Sequence, residues 1–388
     1  MADRTDAAGA PRVVITGMGV ASPLGNSPRE LFHRLSQGET ALRTWRDLEH
    51  DGYRCAIAAR IVHVEGDPLR RGRVLAIGAV DQAIAGSGIT LPRSTGVYIG
   101  STLGESVAFE RAAEGEPLDV GEYAVPSFTE GIRKRFGLTG PSQSLATACA
   151  AGNYALGAAL DDVRSGRVEV ALAGGVEPFS RLSLVGFSRS RAMASDQCRP
   201  FDVRRNGMLL GEGAAMFVLE RADAVRKRAG VPLAEVVSLG LSCDAHHPTA
   251  PSPDGSGMRR AMQAALDEAG VATSEVDWVN VHGSGTRASD AAEARALREM
   301  FSGALPIISG SKGALGHALG ASSALEAAVC IQGLLEQTVP PTAGHETPDP
   351  DGIACTREPV RQSLRWVLNN AFAFGGVNSS LLLRRSDV

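Results

Sequence analysis

Leu145-Ala146-Thr147-Ala148-Cys149-Ala150-Ala151-Gly152-Asn153-Tyr154-Ala155-Leu156-Gly157 is the stretch on which the reading of this chain turns. A run of small residues carries one cysteine and passes into helical spacing that lasts through Val163. Upstream, Gly140-Pro141 marks a turn, and Ser142 to Leu145 reads as a short strand. Cys149 is therefore expected on a strand-to-helix turn. There, the unpaired N–H groups and dipole of the helix N-terminus favour a thiolate and lower the cysteine pKa. Small neighbours let a bulky thioester reach the sulfur. Two readings stand open on this stretch alone: a nucleophile, or a buried structural thiol in a tightly packed helix start.

Composition narrows the class. The chain has 388 residues, 44% of them hydrophobic and 21% charged, as in ordinary globular proteins, with length for one large or two ordinary domains. Aromatics are only 5% while glycine reaches 45 residues, so the interior must be built from Ala, Val, Leu and Gly with close backbones. A net charge of −4 leaves no nucleic-acid footprint. Six scattered cysteines without a C-x-x-C pair support neither a zinc site nor a disulfide framework. Residues 1–11 read as a disordered tail without the apolar core of a secretory signal. No apolar run approaches the ~20 residues of a membrane span. A reduced, cytoplasmic protein with no membrane span is the expectation.

In chain order, Arg12 to Thr16 reads as a strand followed by Gly17-Met18-Gly19. The final spaced glycine of a dinucleotide fingerprint is missing there, which argues against that cofactor. Ser27 caps a helix beginning at Pro28. Arg70-Arg71-Gly72-Arg73 precedes a helix over Val74 to Ala85, and Gly96 to Gly100 is a buried strand. Glu105 to Tyr123 reads as a surface loop with some helix, and Thr129 to Phe136 as a helix stopped by Gly137. Further strands are expected at Val168 to Gly174 and Ala214 to Glu220, with a loop at Gly186 to Arg189 between them. After a seam at Gly230-Val231-Pro232 the grammar repeats: strand, glycine turn, helix, with strands at Leu233 to Leu241, Val276 to Val281 and Leu305 to Ser309. This predicts an internal duplication of an α/β unit, residues 12–230 and 231–388.

Two histidines sit in glycine-flanked turns. His282 opens His282-Gly283-Ser284-Gly285-Thr286 directly after a strand, and His317 closes Lys312-Gly313-Ala314-Leu315-Gly316-His317 before a helix. Chemistry in α/β sheets gathers at strand ends, and a cysteine with histidine is a nucleophile arrangement. No carboxylate or third histidine shares a ligand spacing with either, so no metal is expected. Asn369 to Asn378 places Phe372 and Phe374 beside Gly375-Gly376. That is either a core turn plugged by aromatics or an aromatic gate on a glycine hinge, whose backbone N–H can complete an oxyanion hole.

Taken together, these motifs resemble those of the β-ketoacyl-acyl-carrier-protein synthases, the elongating ketosynthases of the thiolase superfamily. Thr147 to Gly152 is similar to their nucleophile motif, His282 to Thr286 to their first histidine motif, and Lys312 to His317 to their second. Arg12 to Gly25, Arg199-Pro200-Phe201-Asp202, Gly211-Glu212-Gly213 and Phe372 to Asn378 match further landmarks, so the likeness runs from Arg12 to Leu383. It implies a thiolase-like α/β fold, with duplicated βαβαβαββ halves in a five-layer αβαβα arrangement. It also implies decarboxylative Claisen condensation of malonyl-carrier with an acyl chain held on Cys149. His282 and His317 would hydrogen-bond the developing enolate. The backbone N–H groups of Cys149 and Phe374 would hold the oxyanion. Lys312, with Glu326 as partner, would set the electrostatics around His317. Phe187 and Phe372 would line the acyl pocket, Ser284 and Thr286 would contact the pantetheine arm, and Phe374 would gate the site with Gly375 and Asn378 beside it. No dissociable cofactor is implied, since substrates ride on the phosphopantetheine of an acyl carrier protein. Arg70, Arg71, Arg73, Arg189 and Arg191 are candidates for meeting that acidic partner.

The chain departs from the family pattern in places. Ser284 stands for the usual Thr and Gly285 for the frequent Ser. The segments between Trp45 and Arg73 and between Gly104 and Pro126 are short for a housekeeping fatty-acid enzyme, which leans the reading towards a specialised polyketide or polyene pathway. A homodimer or a heterodimer with a homologous ketosynthase-like subunit is implied. The alternatives are a non-decarboxylating acyltransferase and the catalytic member of a ketosynthase/chain-length-factor pair. A non-catalytic partner subunit would lack Cys149. A thiolase would need a second cysteine beside Gly375-Gly376, where Cys355 does not stand.

Overall fold

The computed structural model describes residues 11–386 apart from 51, 52 and 54, so nearly all of the tail expected over residues 1–11 lies outside the described residues. The first five strands of the main sheet are β1 (Val13–Ala21), β2 (Gly96–Gly100), β3 (Ser142–Leu145), β4 (Val170–Glu177) and β5 (Gly213–Arg221). The second five are β6 (Ala234–Cys243), β7 (Trp278–Asn280), β8 (Ile307–Ser309), β9 (Trp366–Ala373) and β10 (Val377–Arg385). They form one ten-stranded sheet in the order β3-β2-β4-β5-β1-β6-β10-β9-β7-β8. Counted within each half, the order from the outer edge is the same, third-second-fourth-fifth-first. Within each half the fifth strand runs antiparallel to both strands that flank it, and the other four run parallel to one another. This is the duplication that the repeated strand-turn-helix grammar predicts.

The halves meet where β1 pairs with β6, Val13 opposite Val236. Glu235, 1% exposed, sits at this seam between the guanidinium groups of Arg12 and Arg384. A buried carboxylate so placed needs both cations, because an unpaired charge there would be strongly destabilising.

Seven helices matter for the site: α1 (Arg71–Ser87), α2 (Pro126–Phe136), α3 (Ala151–Arg164), α4 (Arg181–Arg189), α5 (Ser256–Ala269), α6 (Arg287–Met300) and α7 (Ser322–Glu336). Helices α1 and α2 cover the outer face of the first half and α5 and α6 that of the second, while α3 and α7 touch strands of both. The sheet therefore folds at its middle around α3 and α7, giving five layers, αβαβα. The two central helices cross at Gly152, where a Cβ would come within 2.7 Å of Ala324 N. The small-residue run around Cys149 is what lets these helices pack backbone to backbone.

Two expectations are corrected. Gly186 to Arg189 is not a loop but the end of α4. Ser180 caps that helix by accepting from Ser183 N at 3.1 Å, and the Glu110 carboxylate takes the Arg181 N–H at 2.7 Å. Gly186 faces open space, so it costs helix propensity without breaking the helix. Helix α1 starts at Arg71 rather than Val74, because Glu105, distant in sequence, accepts the N–H groups of Gly72 and Arg73 at 2.8 and 2.7 Å. This carboxylate serves as the cap that no local residue supplies.

Candidate functional site

Cys149 follows β3 on a tight turn. Ala148 has φ +48, the left-handed region, and a single 3₁₀ turn over Ala148–Ala150 runs into α3. The sulfur is buried, and the backbone N–H groups of Cys149 itself and of Phe374 are directed at it. Burial pushes the thiol up to about 11, against the lowering by the Lys312 cation and the two N–H groups. The expected lowering by the helix N-terminus is thus outweighed, because the dipole acts on a group stripped of water. The resting nucleophile is a thiol.

The two histidine rings face Cys149 across one cavity. His282 and His317 are 3% and 2% exposed, with ring centroids 5.4 Å apart and planes at 76°. Burial, and then the Lys312 cation, push both imidazoles well below their usual range, so both are neutral near pH 7. Their tautomers are held differently. His317 Nδ1 accepts the Leu319 N–H at 3.0 Å, with Ser322 Oγ also at 3.0 Å, so its proton sits on Nε2. Nδ1 of His282 is buried without a protein partner among the described residues.

Lys312 lies behind the rings, not in the cavity. Its Nζ donates to the His282 carbonyl and to Glu326 Oε1, each at 2.6 Å. Its charge acts on His317 as expected and on His282 as well, while its direct bond to the loops is to the His282 backbone. Glu326 is its partner, as expected.

A cavity of about 180 Å³ opens from Cys149 between these groups. Phe372, Phe374 and Phe187 give it apolar walls, and Ser284, Thr286 and Asn378 give it polar ones. The Phe187 and Phe374 rings stand 5.6 Å apart, and Phe374 is 39% exposed. Gly375 does not line the cavity; its N–H donates to Pro248 O at 2.7 Å. Gly375 and Gly376 have φ of +82 and +70, a turn open to glycine at no steric cost. Asn378 braces it by donating to Asp244 Oδ1 at 2.7 Å. Among the described residues no group of three or more His, Cys, Asp or Glu is placed to hold a metal ion, and no helix is long and apolar enough to cross a membrane.

The five arginines separate. Arg189 and Arg191 are exposed and flank Ser190, which lines the cavity. Arg71 turns inward onto the buried Glu212 at 2.6 Å, which corrects its reading as a free docking cation. Arg70 pairs with Glu122 at 3.3 Å, and the stem of Arg73 packs beside Gly131.

Sequence reasoning missed the buried carboxylates that hold the loops. Glu293 accepts the N–H groups of His282 and Gly283 at 2.8 and 2.9 Å. Asp290 accepts those of Phe201 and Gly285 at 2.7 and 3.1 Å. Glu177 accepts those of Thr102, Leu103 and Gly320 at 2.6, 3.0 and 3.0 Å. Burial raises all three, Glu177 to about 7, Glu293 to about 8 and Asp290 to about 6. A signal existed for two of them: Asp290 and Glu293 are three apart, on one face of a helix that starts just after His282.

Comparison with known proteins bears on this arrangement. The family model "Beta-ketoacyl synthase, N-terminal domain" matches residues 10–224, and "Beta-ketoacyl synthase, C-terminal domain" matches 233–346. Nodulation protein E of Rhizobium meliloti (strain 1021) is 34% identical over 96% of this chain and 99% of its own length. The 3-oxoacyl-[acyl-carrier-protein] synthase 2 of the same organism is 35% identical over 96% of this chain and 99% of its own length. The solved structure of the ishigamide ketosynthase/chain length factor superposes with a TM-score of 0.90 at 34% identity, covering 97% of this chain and 100% of that one.

Proposed function

The chain belongs to the β-ketoacyl synthase family, acyltransferases that build carbon chains by condensation, and on that premise we propose how its own residues divide the reaction. The observation that carries the reading is the meeting of Cys149, two neutral imidazoles and two sulfur-directed N–H groups around one cavity.

Cys149 takes an acyl group from a carrier thioester. Its sulfur bonds the carbonyl carbon and the carrier thiol leaves with the proton. The N–H groups of Cys149 and Phe374 receive the oxyanion of this step. A malonyl-carrier thioester then binds with its arm along Ser284 and Thr286. Loss of CO₂ leaves an enolate, whose oxygen accepts from His317 Nε2–H and from His282. Neutral donors in a dry pocket are suited to charge that appears only in the transition state. The enolate carbon bonds the acyl carbonyl carbon and the Cys149 sulfur departs, leaving a β-ketoacyl chain two carbons longer on the carrier. Glu326 and Lys312 hold the His282 backbone, and Phe187, Phe372 and Phe374 shape and gate the acyl side. We assign no dissociable cofactor, a carrier protein as partner met through Arg189 and Arg191, a cytoplasmic setting, and residues 12–230 and 231–388 as the nucleophile and histidine halves. The pathway favoured is a specialised polyketide or polyene one.

A second reading concerns the assembly. The exposed Ser142 and Gln143 of edge strand β3, and exposed Ala146 beside the nucleophile turn, favour a partner subunit on this face. The likeness to a ketosynthase/chain length factor supports a homologous subunit there.

Intact-mass spectrometry with a panel of acyl-carrier thioesters, then malonyl-carrier, tests the reading. A mass gain at Cys149 that malonyl-carrier discharges into a β-ketoacyl product is expected. Loading without malonyl-dependent extension would instead mark a plain acyltransferase.

A further inference from the structure

His345 is a buried titratable residue that the reaction above does not use. It is 3% exposed, and both ring nitrogens are engaged. Nε2 accepts the Cys355 N–H at 3.2 Å, so the ring proton sits on Nδ1, which donates to the Pro200 carbonyl at 3.0 Å. The imidazole therefore ties the segment Pro200-Phe201 to the chain at Cys355.

What it ties is placed between the two histidine loops. A Cβ on Gly283, directly after His282, would lie 3.2 Å from the Phe201 ring and 3.4 Å from Pro200 Cβ. A Cβ on Gly313, directly after Lys312, would lie 3.3 Å from Pro200 Cδ. Phe201 is held at φ +57, a left-handed conformation that a bulky residue keeps only when its surroundings enforce it. Its N–H is fixed by Asp290, which also fixes Gly285. Pro200-Phe201 is thus a wedge against both loops, in a conformation that needs bracing, and His345 is one of its braces. The helix behind Cys149 is anchored elsewhere, by Ser323 Oγ to Asn153 N at 3.0 Å.

We propose that His345 is a positioning residue for the condensation half-reaction: its neutral ring holds the Pro200-Phe201 wedge that sets His282 and the Lys312 loop, and its protonation cuts the tie between that wedge and Cys355. A protonated ring cannot accept from Cys355 N–H, so that bond becomes a clash of donors. The charged groups that act on the ring are Asp202, which favours its charge, and Arg357, which opposes it. Burial lowers His345, against the Pro200 carbonyl bond and Asp202, which favour its charge. The inference rests on the assignment of His282 and His317 to the enolate.

The test compares wild type, His345→Gln and His345→Leu from pH 5.5 to 8, reading two rates separately: acyl transfer onto Cys149, and malonyl-carrier-dependent discharge of acyl-Cys149. Glutamine keeps one donor and one acceptor and does not titrate. Loading is expected to stay within about twofold in every variant. Discharge is expected to match wild type at pH 8 in His345→Gln but to persist to lower pH, and to fall about tenfold or more at every pH in His345→Leu, as for loss of a buried hydrogen-bonding pair. Three results would overturn the proposal: discharge by His345→Leu equal to wild type, loading and discharge falling in parallel, or an unchanged acid limb in His345→Gln. If the leucine variant does not fold, the glutamine profile decides. Wild type that neither loads nor discharges would sink the condensing assignment itself, a different outcome from any of these.

Discussion

The turn that carries Cys149 and the turn that follows His317 are the same structure built twice. Each comes after the third strand of its half, places one non-glycine residue at left-handed φ (Ala148 at +48, Leu319 at +43), makes one 3₁₀ turn and enters a central helix. In this frame Cys149 is matched by Gly320. The Cys149 N–H is directed at its own sulfur, whereas the Gly320 N–H is tied to Glu177. The second copy instead bends Leu319 N–H back onto His317 Nδ1 and fixes a tautomer. Duplication thus supplied two geometrically equal helix starts. Side-chain divergence made one a nucleophile with an oxyanion donor and the other a clamp for an imidazole.

The largest effect that can break this contrast is at the sulfur. Cys149→Ala should leave the fold intact and remove acyl loading entirely, read by intact mass and by circular dichroism. Normal product from this variant would void the assignment. Next is the clamp: His317→Ala should keep loading and lose condensation by about 10²- to 10³-fold, as for removal of one preorganised donor. His282→Ala should lose less in tautomer control, since its Nδ1 has no partner to fix it. Single-turnover discharge of acyl-Cys149 separates the two.

Much of this contrast is legible in the sequence. Cys149, His282 and His317 announce themselves because glycine and alanine surround them where a strand ends, and the duplicated grammar foretells two matching halves. The braces cannot be read that way. Glu177 reaches Thr102 and Gly320 across 75 and 143 residues, and Glu105 caps a helix 33 residues away. Nothing in local spacing marks a carboxylate that satisfies distant backbone N–H groups. Arg71 looks like a surface cation for the same reason, since its partner Glu212 lies 141 residues on. The direction of the Cys149 shift is also out of reach: the helix dipole is visible in sequence, but the burial that overrides it is not.

That shift gives the third prediction. With the thiol raised to about 11, the thiolate fraction should climb about tenfold per pH unit through pH 9 without levelling. Alkylation of Cys149 by a small neutral reagent, followed by mass spectrometry, should track this rise. A plateau near the ordinary cysteine value of about 8.5 would show that the helix start, not burial, governs the sulfur. The histidines run the other way. Their folded values lie below the ordinary imidazole, so the stability they confer is complete above about pH 6.5 and is lost as pH falls below it.

The smallest effect is the sharpest test of equivalence. A left-handed non-glycine residue costs about 1–2 kcal/mol, and glycine gives back about 0.5–1 kcal/mol through its freer unfolded chain. Ala148→Gly should therefore gain at most about 1.5 kcal/mol in denaturant unfolding. Leu319→Gly relieves the same strain but also removes a buried side chain, 4% exposed, so it should lose about 2–4 kcal/mol on balance. To isolate the backbone, Leu319→Ala and Leu319→Gly are compared with each other. Their difference should match that between wild type and Ala148→Gly within about 0.5 kcal/mol, the usual limit of additivity for independent sites. A larger mismatch would mean that the two turns share a shape but not a strain. The left-handed residue would then be part of what diverged, along with the side chains, after the unit was doubled.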